Sequence, residues 1–259
     1  MRRSKTTGFI ALLLFGFIVG AVAQEADLPV AADLLDRYVE VTGGKAAYDK
    51  IRNRVSKAVV EIQGMGIQIH ATTYAAKPNL SYAVIESDIT GKMENGCDGE
   101  TVWELSAMQG AQVKEGQEKI DMLHLSRFDA SVYWREAYEK VETVSVEDVK
   151  GKPAYKVVLT PARAKPSAMY FDQESGLLVR TDMELENPMG NFPIETYSSD
   201  YREVDGILVS YTSEVHVMGQ VRSITVESIE HNVDLPEDRF EPPDEILEIL
   251  EKQEGAASE

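Results

Sequence analysis

Cysteine is almost absent from this chain: Cys97 is the only one in 259 residues. A single thiol makes no internal disulfide, and without a second cysteine or a histidine nearby it cannot anchor a metal or redox pair. Its neighbours Glu94, Asp98 and Glu100 are acidic and oppose thiolate formation, so the stretch "NGCDGETVW" reads as a turn between strands. Asp98-Gly99 supplies the hairpin signal, because glycine accepts positive φ. Histidine is scarce as well. His70, His124, His216 and His231 never fall in a His-Glu-x-x-His spacing. There is no Gly-x-Ser-x-Gly elbow and no glycine-rich phosphate cradle before a helix. No pair among the 44 acidic residues is marked out for glycosidase chemistry. No residue argues for a catalyst, a metal or a cofactor, and the expectation is a non-enzymatic protein with none of these.

Positive charge is also in short supply, with 26 Lys and Arg against 44 Asp and Glu and a net charge of −18. Such a chain is repelled by phosphate backbones and anionic headgroups, which excludes nucleic acid as an expected partner. Long apolar runs are missing with one exception. The chain opens Met1-Arg2-Arg3-Ser4-Lys5, runs apolar from Gly8 to Gly20, and reaches Ala21-Val22-Ala23. A basic start, a short apolar stretch and a small-x-small exit describe a secretory signal peptide over residues 1–23. The stretch is shorter than the roughly 20 residues a membrane span requires, and no later segment reaches that length. The expectation is export to the periplasm with no membrane span in the mature chain, whose charge would be about −21.

What the chain has in abundance is two-residue alternation. A helical pattern over residues 32–42 (Leu34, Leu35, Tyr38, Val39) stops at Gly43-Gly44, and residues 46–52 allow another turn or two. From Val55 to about Val233 apolar and polar residues alternate, punctuated by glycine turns every 8 to 14 residues. That predicts a meander of about 10–12 antiparallel strands. Two helical segments, residues 117–125 and 130–140, interrupt it. After Glu241-Pro242-Pro243, Asp244 begins a short helix with Ile246, Leu247, Ile249 and Leu250 before a fraying acidic end, which could cover an edge of the sheet. The predicted organisation is a signal peptide over 1–23, one β domain over 24–240, and a tail over 241–259.

A long antiparallel sheet curls, and few helical residues are available to cover it. The expected fold is therefore mainly β: an open half-barrel with helices over its concave face. Its apolar floor would take Ile67, Ile69, Tyr82, Val84, Val157, Leu159, Met169, Phe171, Met183, Leu185, Val209 and Tyr211, together with Ile224 and Val226. These side chains either line a cavity for a guest or pack against the helices; the pattern allows both. A guest chain of fourteen carbons would gain on the order of 10 kcal/mol by burial at ~0.8 kcal/mol per methylene.

At "CDGETVWEL", "KPSAMYFDQESGLLVRTDMEL" and "DYREVDGILVSYTSEV" the chain resembles the LolA/LolB-like superfamily of outer-membrane lipoprotein-sorting proteins. The likeness rests on Asp98-Gly99 before Trp103, on Tyr170-Phe171-Asp172 before Gly176, and on Tyr201-Arg202-Glu203 before Asp205-Gly206. With the leading "LLDRYVEVTGG" it covers most of residues 31–240. The resemblance implies an open β-barrel, a helical lid over a hydrophobic cavity, a periplasmic setting, and lipid or lipoprotein acyl chains as cargo. The same scaffold also serves as a sensor domain, so an envelope protein or peptide is the alternative partner. The resemblance further implies an arginine that latches the lid through backbone carbonyls; no arginine of this chain is matched to it.

Overall fold

The computed structural model describes residues 27–187 and 190–257; the signal-peptide expectation lies outside them. Helix α1 (Ala31–Val41) and the single turn α2 (Lys45–Tyr48) lead into strands β1 (Asn53–Ile62), β2 (Ile67–Ala76), β3 (Leu80–Ser87), β4 (Gly91–Cys97), β5 (Val102–Ser106) and β6 (Gly110–Val113). Helices α3 (Gly116–Leu125) and α4 (Trp134–Ala137) follow. The second run is β7 (Lys140–Val149), β8 (Lys152–Thr160), β9 (Ser167–Asp172), β10 (Leu178–Asn187), β11 (Gly190–Val204), β12 (Ile207–Val217) and β13 (Gln220–His231), and α5 (Asp244–Ala257) ends the described chain.

All 13 strands form one antiparallel sheet in the order β6-β5-β4-β3-β2-β1-β13-β12-β11-β10-β9-β8-β7. The two meanders join where β1 pairs with β13, Val60 opposite Ile224, and β6 and β7 are left as edges. The sheet is strongly curled. β5 and β10 stand eight places apart in the strand order, which in a flat sheet is about 38 Å. Yet α3, ten residues long and so about 15 Å, touches both. The face that α3 sees is concave, and the fold is the open half-barrel expected.

Alternation predicted most of this, with three differences. The strand number exceeds the expected 10–12 because β6 is only four residues long and β7 carries a register shift between Thr143 and Ser145, which breaks its period. Of the predicted helix over 130–140 only Trp134–Ala137 forms. The N–H of Glu139 bonds the Thr160 carbonyl instead, drawing that end of the segment into the sheet. The tail helix runs through Ala257 rather than stopping near Gly255. It packs against edge strand β6 with Ile246 fully buried.

Cys97 ends β4 at a turn, as its acidic neighbours suggested. It is buried, its thiol faces the Asn79 carbonyl at 3.3 Å, and Asp98 Oδ1 accepts from the N–H groups of Glu100 and Thr101 at 2.9 and 2.7 Å. One residue earlier on the same strand, Gly96 lies opposite Trp103. A Cβ built on Gly96 would stand 2.5 Å from the indole, so this glycine is the floor on which a 1 %-exposed tryptophan rests. Gly96→Ala is expected to lower stability by about 1–3 kcal/mol through overpacking, read as a lower urea midpoint with an unchanged slope.

Candidate functional site

Residues directly paired across an antiparallel ladder share a face, and alternate residues along a strand share it too. The concave face is identified by what packs on it. Leu34, Leu35 and Tyr38 of α1 form one core with Val157, Leu159, Met169 and Phe171, and Trp134 of α4 completes it. A second core joins Val39, Tyr48, Ile51, Phe128 and Val132 to Ile207, with Ala75 and Val209 packed against it.

The predicted floor residues fall into three groups. Val157, Leu159, Met169, Phe171 and Val209 meet the helices in these cores. Ile67, Ile69, Tyr211, Ile224 and Val226 share the concave face by register, as do Met183 and Leu185, and all of these are only half-buried. Tyr82 and Val84 lie on the opposite, outer face, paired with Tyr74 and Thr72. This corrects the expectation for both. The outer face of this half is not simply solvated: Arg239, on the segment leading to α5, stacks over Tyr74 at 4.7 Å and Tyr82 at 5.5 Å. The inward phase of β3 is Ser81, Ala83, Ile85 and Ser87, less apolar than the outward Tyr82 and Val84, so alternation alone points to the wrong face.

Between these groups the concave face is hollow because its side chains are small. Ser56 pairs with Thr73 and Ala58 with Ala71, and Thr73 pairs with Ala83. Beneath α3 lies a cavity of about 250 Å³ whose lining includes Leu125, Met169, Met183 and Leu185. It shares His124, Arg127, Tyr138 and Ala164 with a wider groove of about 1010 Å³. On the other side of α3 is a hollow of about 380 Å³ with mixed walls, Thr73, Asn95 and Glu104 beside Trp103, Met122 and Phe128. At its rim Arg54 pairs with Asp129 at 3.1 Å. Burial, and then the charge of Arg127, hold the His124 imidazole below the ordinary histidine range, so the ring edging the apolar cavity is neutral at neutral pH.

The helical cover is latched by an arginine that the sequence did not single out. From α1, Arg37 donates to the Gln173 carbonyl at 3.2 Å and the Glu174 carbonyl at 2.6 Å, both in the β9–β10 turn. Gly176 leaves room for it, since a Cβ there would lie 2.9 Å from Arg37 Nε. The adjacent Asp36 takes a bidentate bond from Arg135 at 2.7 and 2.6 Å and another from Trp134 Nε1 at 3.1 Å, tying α1 to α4. The signal for Arg37 was present only as an unpaired turn, "DQESG", whose free carbonyls need donors.

No protein-family model and no curated protein matches the chain. Solved structures do. A DUF1329 family protein from Desulfovibrio piger aligns at 17% identity over 83% of this chain and 98% of its own, with a TM-score of 0.57. A LolA superfamily protein from Nitrosomonas europaea gives 12%, 83%, 99% and 0.54. An outer membrane lipoprotein-sorting protein domain from Vibrio parahaemolyticus gives 10%, 82%, 97% and 0.51. At these identities the likeness is one of fold, and the fold is LolA-like, as the turn and strand motifs implied.

The latch has a measurable consequence. Arg37→Ala removes two charge-assisted bonds at an exposed site, for a loss of about 1 kcal/mol of stability. Hydrogen exchange of the α1 amides should speed up well before that of β8 and β9. Unchanged α1 protection would show that the apolar face and the Asp36 bonds to α4 hold the helix without Arg37.

Proposed function

We propose that this protein is an exported, periplasmic, non-enzymatic carrier or binding protein for lipids or lipoprotein acyl chains. The observation that carries the reading is the hollow concave face. Small residues at its centre, half-buried isoleucines and valines around them, and a methionine-lined cavity under α3 leave apolar surface without a partner inside the protein. Ile67, Ile69, Met183, Leu185, Ile224 and Val226 are the residues we assign to the guest, whereas the Tyr211 ring already lies under the Arg202 guanidinium at 4.5 Å. Val157, Leu159, Phe171 and Val209 are assigned to the support of the lid, while Met169 does both. Methionines suit flexible chains because they adapt to irregular shapes. The cavity of about 250 Å³ is slightly below the ~300–1,000 Å³ of ordinary ligand pockets, so a longer chain would continue into the groove it adjoins. Periplasmic placement is supported by the signal-peptide pattern of residues 1–23. Among the described residues no helix is long and apolar enough to cross a membrane.

The alternative, an envelope module that binds a protein or peptide, is favoured by one feature. The edge strand β7 is ten residues long and exposes Val144 and Val146 by 47 % and 46 %, a surface on which an extended peptide could pair.

Native mass spectrometry of protein purified from its host is expected to show a lipid adduct. Delipidated protein should then take up the neutral dye N-phenylnaphthylamine, and Met183→Trp, which fills the cavity, should weaken that uptake about fivefold or more while the fold persists by circular dichroism. A clean apo mass with no dye uptake would remove the carrier reading. Retrieval of a defined protein partner, lost on substituting Val144 and Val146, would replace it.

A further inference from the structure

We propose that Asp121 is a polar anchor within the cavity under α3, selecting a single-chain guest whose head carries a hydrogen-bond donor, either a hydroxyl or an ammonium group. This inference rests on the carrier reading and narrows its guest.

Asp121 lies on α3, lines the cavity and is only 4 % exposed. Its two carboxylate oxygens are treated very differently. Oδ1 accepts from Gln117 Nε2 at 2.9 Å and from the Lys165 backbone N–H at 2.9 Å. Oδ2 is buried and has no partner. A buried acceptor left unsatisfied carries the full cost of its desolvation. The two residues that bond Oδ1 have their remaining donors engaged elsewhere. Gln117 also donates to the Arg163 carbonyl, and the Lys165 ammonium is turned away to Glu184 and Glu186 at 3.2 and 2.9 Å. Glu184 borders the same cavity but is 48 % exposed and already paired.

Leu125, Met169, Met183 and Leu185 supply the apolar part of the wall, and His124, Arg127, Ser131, Lys165, Ser167, Thr181 and Glu184 the polar part beside Asp121. A guest chain lying among the apolar side chains would bring its head to Asp121. The terminal torsion of an aspartate is soft, so a modest turn presents Oδ2 to an incoming donor while Oδ1 keeps its N–H partners. A donor head gains a charge-assisted bond in a site of low dielectric. A fatty-acid carboxylate at Asp121 would meet a like charge, because the lining cation Lys165 is paired with Glu184 and Glu186 and Arg127 donates to the Glu136 carbonyl. An ether or ester head would leave Oδ2 as it was.

The test uses the delipidated full-length mature protein and calorimetric titration with decyl amphiphiles of equal chain length. Decylammonium and decanol are expected to bind about tenfold or more tightly than decanoate and a methyl ether of matched length, respectively. The uncharged decanol–ether pair is indifferent to the protein's net charge, and the ammonium–carboxylate pair is measured in high salt to screen the surface. In Asp121→Asn, whose amide oxygen can still accept from Gln117 and Lys165, both preferences should shrink to within about threefold. Equal binding of all four ligands to the unaltered protein, or preferences unchanged in Asp121→Asn, would overturn the anchor and leave the carrier standing. No binding of any of them would overturn both.

Discussion

A thirteen-stranded antiparallel sheet that runs from edge to edge without closing has two faces to cover and two edges to protect, and its curl decides how each need is met. Twist forces a sheet of this width to bend. Once it has bent far enough for one ten-residue helix to touch β5 and β10, the inner face is too deep for the available helices to fill. α1 covers one end, where Val157, Leu159, Phe171 and Ile207 are almost fully buried. On β1, β2, β3 and β13 the inward residues are alanine, serine and threonine, or half-buried isoleucine and valine. The hollow thus follows from geometry and side-chain size together, and the isoleucines and valines of its rim make it greasy.

The outer face meets the opposite demand, and on the β8–β12 side it does so with a ladder of cations and rings. Arg180 lies between Tyr170 and Tyr197, 4.9 and 5.2 Å from their centres, and binds Asp182 through two nitrogens at 2.6 and 2.9 Å. Lys156 sits over Tyr170 and Lys150 over Tyr197, and His216 stacks against Tyr197 at 5.1 Å. Each contact is worth only about 0.5–1 kcal/mol at a partly exposed site. Their larger effect is on register. A one-residue slip would carry Arg180 and Asp182 inward and Thr181 and Met183 outward, exchanging the wet and greasy surfaces. The ladder keeps the apolar side turned toward the lid.

Much of this was legible in the sequence, and the parts that were not share a cause. Alternation with period two is a local signal, so it revealed the long strands, and the glycine turns separated them. It failed where local pattern and tertiary demand diverge. In β3, Tyr82 and Val84 read as an inward apolar phase, but residues beyond β13 return to cover the outer face, and Arg239 stacks there on Tyr82. The segment 130–140 has helical composition, yet Asp129 adopts a positive φ of 51° and pairs with Arg54, which fixes the entry to the segment by a contact 75 residues away in sequence. Arg37 looked like any exposed helix residue, because its carbonyl partners in "DQESG" lie more than 130 positions along the chain. The floor list mixed residues that meet the helices with residues left half-buried for the same reason: local pattern does not say which apolar side chains a distant helix will cover.

That ambiguity is resolved by size rather than by hydrophobicity. Where α1 docks, the sheet offers large residues that interdigitate with Leu34, Leu35 and Tyr38, as a core must in order to reach native density. Where nothing docks, a sheet designed only to be stable would place equally large residues and fill the space, since each unfilled methylene costs stability. Here the inward positions at the centre of β1, β2 and β3 are Ser56, Ala58, Ala71, Thr73 and Ala83. The hollow on one side of α3 mixes Arg54, Asn95 and Glu104 with Trp103, Met122 and Phe128, and the cavity on the other gathers two methionines and two leucines beside Asp121, Lys165 and Glu184. The inner face thus keeps apolar and charged side chains side by side around unfilled space, which a face built for packing alone would not do.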